Sequence, residues 1–432
     1  MDTRSLRLAV GLLTALSFGA GTLPAQDTRT TTLQSLPEGN NGIASKYPGD
    51  VGITRDPNVV FSDDFEVGTT GFDNNWGGIV TTTTPENVNG GKRAVELTLP
   101  YPRTSKETGK GFNYHFKQGY DVLHLRYYAK YSKTTELYHG GTHNGGAILA
   151  RAPGVPDAKP GIPADGKNEY TVLLDTVRSV DDPKVVSPGP LAFYVYHPEQ
   201  RHQWGEHFFA SGKMFPYGGN PNYFGPSFVK RPDLTPDRDR WICYEFMVKA
   251  NTPGQRDGRL AFWIDGRLAA DFPNLRLRDV PTLKANIISI GLYTMNEAIK
   301  SPCTMWYDDV VAATSYIGPI LKRKKSGPAK SAEEMAKAHE ALARGEHAEA
   351  WRHLDKVDSD ELFREAQDVL RKIEEAVNSR IREVQALEAI GEKNDAIEGY
   401  REILREFAGV PATERAKARL DALRAAPAKR GN

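Results

Sequence analysis

The stretch VKANTPGQRDGRLAFWIDGR, residues 248–267, decides the fold class. Pro253-Gly254 fits the central pair of a type II turn, since proline fixes φ and glycine accepts φ > 0, and Asp257-Gly258 is a common turn signal ahead of a strand. Asp265-Gly266 repeats the device, so the run LAFWI ends and reverses there. Two reversals this close make a β-meander.

Working outward, the same texture recurs. Short runs rich in β-branched and aromatic residues stand between Gly, Pro and Asn clusters: VVFSDDF (59–65), RAVELTL (93–99), VLHLRYYAKYS (122–132), EYTVLLDTV (169–177), LAFYVYH (191–197), RWICYEFMV (240–248), IISIGLYT (287–294) and TMWYDDVVAAT (304–314). Strands with no helical pattern between them imply an antiparallel sandwich or barrel, because hairpin-joined sheets need no crossover helices. The expectation is an all-β jelly-roll sandwich over residues 58–319.

A chain of 432 residues exceeds one ordinary core, and its vocabulary changes near the end to Ala, Glu, Arg and Leu. Residues 331–425 read as an all-α domain, opened by a capping box of Ser331 and Glu334. Two phrases in it echo each other, ALARGEHAEAWRHL (341–354) and ALEAIGEKNDAIEGYREIL (386–404): aligning Gly345 with Gly391 places Ala350 on Ala396. This tail resembles tetratricopeptide repeats, with a simple helical bundle as the alternative. Between the domains, 320–330 reads as a basic linker holding Lys322, Arg323, Lys324 and Lys325, which suits solubility or contact with an anionic surface. Residues 426–432 form a short tail.

At the start, Arg4 and Arg7 precede an apolar run from Leu8 to Phe18, with a cut expected after Ala25. The run is shorter than the ~20 residues that span a bilayer. Residues 1–25 are therefore read as a signal peptide, the location as periplasmic or extracellular, and 26–57 as an extended lead-in. A net charge of +1 gives no reason to expect nucleic acid as a partner. Cys243 and Cys303 exclude a disulfide-stapled scaffold, leaving one bridge or two buried thiols.

The phrases FSDDFE (61–66), HLRYYAKYS (124–132), YVYHPEQRHQWGEHF (194–208), the meander above and MWYDDVVAATSYIGP (305–319) resemble, in order, the concanavalin A-like lectin/glucanase superfamily, nearest to secreted jelly-roll polysaccharide lyases. That resemblance implies recognition of a uronate-containing chain, an acidic polysaccharide as partner, and no cofactor for the chemistry. Activity does not follow from fold, since one fold hosts many functions.

Elimination beside a uronate carboxylate calls for a cation or amide to neutralise it and a base such as Tyr, His or Lys beside the carbon. Alternation in HLRYYAKYS puts His124, Arg126, Tyr128 and Lys130 on one face. Tyr194 and Tyr196 share another, with His197, Arg201 and His202 following. Arg126 and Lys130 are the expected neutralisers, Tyr128 a binding neighbour, and Tyr194, Tyr196 and His197 the expected base and acid. Packing tyrosines and solvated cations are the competing explanation.

Relatives carry a lysine after the early strand where HGGTHNGGAI (139–148) has Thr142, so His143 is the replacement, or the site is inert. Paired acids in the strand motif of retaining hydrolases are absent, which disfavours hydrolysis. Trp204, Tyr217 and Tyr223 stand in an aromatic segment, 202–228, that suits sugar faces or a satellite core. Glu66, Asp308 and Asp309 lie in acidic clusters of the first and last strands, where this superfamily often holds a structural Ca²⁺; solvated acids are the alternative. Three classes follow: a lyase, a non-catalytic glycan-binding module, and an envelope scaffold, each with a helical tail able to dock a protein.

Overall fold

The computed structural model describes residues 34–67, 70–102, 109–137, 142–178, 186–216, 222–295, 299–321, 327–357, 359 and 362–425. The expected signal peptide, the KRKK run, the tail and Tyr217 lie outside them.

The strands are β1 (Val59–Asp63), β2 (Asn74–Trp76), β3 (Val80–Thr82), β4 (Ala94–Leu99), β5 (Gly109–Tyr120), β6 (Val122–Tyr131), β7 (Thr142–His143), β8 (Gly146–Arg151) and β9 (Glu169–Thr176). They continue as β10 (Leu191–Tyr196), β11 (Glu206–Phe209), β12 (Met214–Phe215), β13 (Ile242–Lys249), β14 (Gly258–Ile264), β15 (Arg267–Leu275), β16 (Ala285–Thr294) and β17 (Cys303–Ala313). Every pairing is antiparallel. One sheet runs β15-β14-β13-β6-β17-β4-β3, with β1 also on β17. The other runs β12-β11-β10-β9-β8-β16-β5-β2, with β7 on β16. The molecule is thus a two-sheet antiparallel sandwich followed by helices.

The meander that opened the sequence reading is β13-β14-β15. Gly254 has φ 82°, and the Gln255 N–H donates to the Thr252 carbonyl at 2.8 Å, closing the turn around Pro253-Gly254. Asp265 and Gly266 both have positive φ, 49° and 78°, as a two-residue hairpin matched to strand twist needs. The Asp265 carboxylate also accepts the Cys243 N–H at 2.9 Å, which ties the turn back to β13.

Alternation builds the core between the sheets. Leu123, Leu125, Tyr127, Ala129 and Tyr131 of β6 point inward, and Leu191, Phe193 and Val195 of β10 meet them from the other layer. Cys243 and Cys303 are buried free thiols.

The described part of the segment expected to be an extended lead-in, residues 34–57, is compact instead. Short 3-10 turns at Ile43–Lys46, Pro48–Asp50 and Ile53–Arg55 lay Ile43, Ala44 and Ile53 on Val311, Ala313 and Ile317. It covers the outer face of the β6-containing sheet. That cover decides the fate of several expected site residues.

The helices are α1 (Pro328–Ala343), α2 (His347–Leu354), α3 (Phe363–Ala389), α4 (Lys393–Glu406) and α5 (Thr413–Ala425). The echo read from the sequence is a shared turn. Glu346 N–H donates to the Ala341 carbonyl at 2.9 Å and Glu392 N–H to that of Leu387 at 3.0 Å, around Gly345 and Gly391, both at positive φ. Ala350 and Ala396 are fully buried, so small residues do mark close helix contact. The capping box does not form: the helix starts earlier, at Pro328, and the Ser331 hydroxyl accepts the Ser359 N–H at 3.0 Å. Among the described residues no helix is long and apolar enough to cross a membrane.

Candidate active site

Residues that alternate away from the core on the β10-containing sheet line a groove of about 1840 Å³. Its floor is built from neighbouring strands in register: Tyr194 of β10 sits opposite Leu173 of β9, which sits opposite Ala147 of β8, which sits opposite Ser289 of β16. Tyr293, two pleats along β16, pairs with His143 of β7.

His143 is the most chemically prepared side chain on this floor. Its Nδ1 lies 2.7 Å from an Asp175 carboxylate oxygen, and Asp175 is fully buried. The other Asp175 oxygen accepts the Asn144 N–H at 3.1 Å, so the carboxylate is fixed. A buried acceptor keeps the proton on Nδ1 and presents Nε2 as the basic nitrogen, the orienting logic of histidine–carboxylate pairs. The imidazole stacks on Tyr293 with centroids 5.7 Å apart and stands 5.0 Å from the Tyr194 ring.

Tyr194 and Tyr196 border the same floor. The Tyr194 hydroxyl accepts the Gly205 N–H at 3.1 Å and donates to the Tyr196 hydroxyl at 3.3 Å. Burial, and next the bond to Tyr196, push the Tyr194 pKa up. It stays a phenol. Trp204 is 45 % exposed at the rim, with its indole over Gly161, and His202 stands beside it. At the opposite end Trp76 lies over Gly111 and Gly291; a Cβ on Gly111 would sit 2.4 Å from the indole. Aromatic platforms therefore bracket the groove, as sugar faces require.

His207 of β11 lines the groove beside Tyr194, ring centroids 4.7 Å apart, and is 5 % exposed. Neither ring nitrogen has a hydrogen-bond partner among the described residues. Burial, and next the neighbouring His143, push its pKa down to about 3 from 6.5. The folded state thus binds fewer protons than the unfolded chain between those values, and stability is present above pH 6.5 and lost as pH falls toward 3. Thermal melts across that range are expected to fall more steeply for the native chain than for His207→Phe; parallel curves would contradict the assignment.

Other expected site residues lie elsewhere. Arg126, Tyr128 and Lys130 do share a face, but it is the outer face of the other sheet, where other parts of the chain cover them: the lead-in over Arg126, Ile320 beside Tyr128 and Glu86 beside Lys130. Arg126 is fully buried and pairs with Asp50, donating also to the Asp309 carbonyl at 3.0 Å. Burial works to lower its pKa, but Asp50 holds it above the ordinary value. Tyr128 accepts the Ile320 N–H at 2.9 Å, and Lys130 donates to the Glu86 carbonyl at 2.5 Å. Arg126 and Lys130 as neutralisers of a bound glycan, and Tyr128 as a binding neighbour, are corrected to structural roles.

His197 points to the core side of β10. Its Nε2 lies 3.0 Å from Glu206, and its Nδ1 lies 3.0 Å from the Tyr223 hydroxyl. Arg201 donates to Glu206 at 2.7 Å. Burial raises the Glu206 pKa, yet His197 and Arg201 together hold it below the ordinary range. This polar network, buried at His197 and Glu206 with Arg201 at its exposed edge, stands off the groove lining, which corrects the expected catalytic role of His197 and the binding roles of Arg201 and Tyr223.

The acids near the chain ends hold a turn. Glu66 accepts Lys92 and Arg93 N–H groups at 2.7 and 2.6 Å, Asp308 accepts those of Asn89 and Gly90 at 2.9 and 3.2 Å, and Asp309 accepts the Asn89 amide at 2.8 Å. Among the described residues no three His, Cys, Asp or Glu side chains group as a cation cage would need.

Sequence reading missed Asp175, His207, Tyr293 and Trp76. Alternation carried the signal for one of them: Ser289, Gly291 and Tyr293 share the polar face of IISIGLYT.

No family model and no curated protein matches the chain. Among solved structures it is similar to the alginate lyase vAL-1 from Chlorella virus, at 14 % identity over 60 % of this chain and 100 % of that one, TM-score 0.43. It is also similar to the endo-beta-1,4-glucuronan lyase of the fungus Trichoderma reesei, at 15 % over 60 % and 96 %, TM-score 0.40. The PL-14 alginate lyase of Aplysia kurodai stands at 14 % over 59 % and 99 %, TM-score 0.40.

Proposed function

We propose that this chain is a secreted polysaccharide lyase that cleaves a uronate-containing glycan by β-elimination in the groove of the β10-containing sheet. The observation that carries the reading is His143, held by Asp175 at 2.7 Å and set between the Tyr293 and Tyr194 rings on a groove floor bracketed by Trp76 and Trp204. In the proposed step His143 Nε2 takes the proton on the carbon next to the uronate carboxyl group. The electron pair left behind forms the carbon–carbon double bond, and the bond from the adjacent carbon to the glycosidic oxygen breaks. Tyr194, kept protonated by burial, gives its proton to that oxygen. The proton on His143 returns to the tyrosinate directly or through solvent, and no water is consumed.

A glycan-binding module without turnover is the second reading. It is favoured by Thr142, which is buried, so the position where relatives carry lysine sends no cation into the groove. The helical region is proposed to be a tetratricopeptide-like platform for a protein partner. Incubation with alginate, glucuronan, pectate and glycosaminoglycans separates the readings: ultraviolet-absorbing unsaturated ends are expected on at least one polymer, and retention in affinity gels with no such ends would replace the lyase by the module.

A further inference from the structure

Among the described residues, three of the four Lys and Arg side chains that line the groove already have acceptors. Arg151 spends its guanidinium on the carbonyls of Ala150, Pro156, Asp157 and Tyr170 and on the Thr171 hydroxyl, with Glu169 at 3.5 Å. Lys159 lies 2.9 Å from Glu169, and Arg178 donates to the Leu137 carbonyl at 2.8 Å with Glu136 at 3.7 Å. Lys213 stands over the Phe209 ring, on the β11–β12 side of the groove. Asp157, Glu169 and Asp233 line the same walls. A groove balanced in this way does not attract a polyanion as a cationic cleft would.

The floor next to His143 is apolar. Leu173 lies two residues from Asp175 on the same face of β9, between Tyr194 and Ala147 in register. The polar group nearest Tyr194 on β11 is His207, a nearly buried imidazole whose two nitrogens lack partners among the described residues. Such a group suits a neutral acceptor or hydroxyl, because a carboxylate set against this wall would be desolvated without a counter-charge.

We propose that the groove takes the reacting uronate with its carboxyl group neutralised as an ester. This rests on the lyase reading and names the substrate form it acts on. A free carboxylate opposes the negative charge that develops on the neighbouring carbon, and an enzyme acting on it supplies a cation or an amide; the Asn113 amide on this groove already donates to Asp157 at 2.8 Å. An ester carries no charge, its carbonyl accepts the developing electron pair, and its alkyl group meets Leu173 and Ala147. The ester bond is untouched, and the product is an unsaturated uronate ester together with a new reducing end.

The test compares methyl-esterified polygalacturonate, alginate propylene glycol ester and methyl-esterified glucuronan with their saponified forms, by rate of unsaturated product and by retention in affinity gels. At least tenfold greater kcat/KM on an esterified polymer is the expected result. Equal or faster cleavage of the saponified partner overturns the ester inference and leaves the lyase reading standing. Product from neither form ends the lyase reading; stronger retention of the ester would then still uphold a neutral subsite, and equal or weaker retention would overturn that as well.

Discussion

His143→Gln is expected to lower the rate of elimination by about 10²–10⁴-fold, the usual worth of a positioned general base. Glutamine keeps an amide able to donate to Asp175, so the buried carboxylate retains a partner while the basic nitrogen is lost. The side chain is also 36 % exposed, and the melting temperature is expected to change little. The loss should appear in kcat rather than KM, because the group acts on the proton in the transition state and contributes little to holding the ground state. Turnover equal to that of the native chain would remove His143 from the chemistry.

The second large effect is on stability and lies on the opposite sheet. Arg126 is fully buried, and its partner Asp50 is largely so. Breaking such a pair leaves an uncompensated charge, which typically costs about 3–5 kcal/mol. Arg126→Met is therefore expected to lower the free energy of unfolding by that amount, read from denaturant titration, with the lead-in loosened from the sheet. Arg126→Met combined with Asp50→Asn should recover much of the loss, since no charge is then stranded; asparagine also tolerates the positive φ of 57° at that position. A loss below about 1 kcal/mol, the range of exposed pairs, would contradict a buried structural role.

These two residues also mark what the sequence could convey. Period-2 alternation correctly grouped Arg126 with Tyr128 and Lys130, because side-chain direction is a local property of a strand. Which face is hollow and which is covered depends on where distant chain comes to rest. Here residues 36–58 fold back over β6 and β17, and their small 3-10 turns carry little periodic signal. Tyr194 and Tyr196 were legible for the same local reason, whereas His197 falls on the next pleat and turns to the core.

The strands that escaped notice have physical excuses. β5 is dense in glycine, and the structure shows why at Gly111, where the Trp76 indole occupies the space a Cβ would need. β8 begins at Gly146 because the Tyr127 ring lies against it, 2.6 Å from an ideal Cβ. β7 is two residues long, yet it carries His143. In the helical region the Gly345 and Gly391 turns were readable because positive φ is a demand on one residue. The Ser331 signal failed because its hydroxyl found a tertiary partner in Ser359.

The central claim, that the His143 groove breaks a glycan by elimination, is tested most directly by the mass of the fragments released from the uronate polymers and their esters. The account predicts fragments whose new non-reducing ends lack one water relative to hydrolysis products and absorb in the ultraviolet, formed by the native chain and not by His143→Gln. Fragments that have gained water, or polymers left intact throughout, would contradict it.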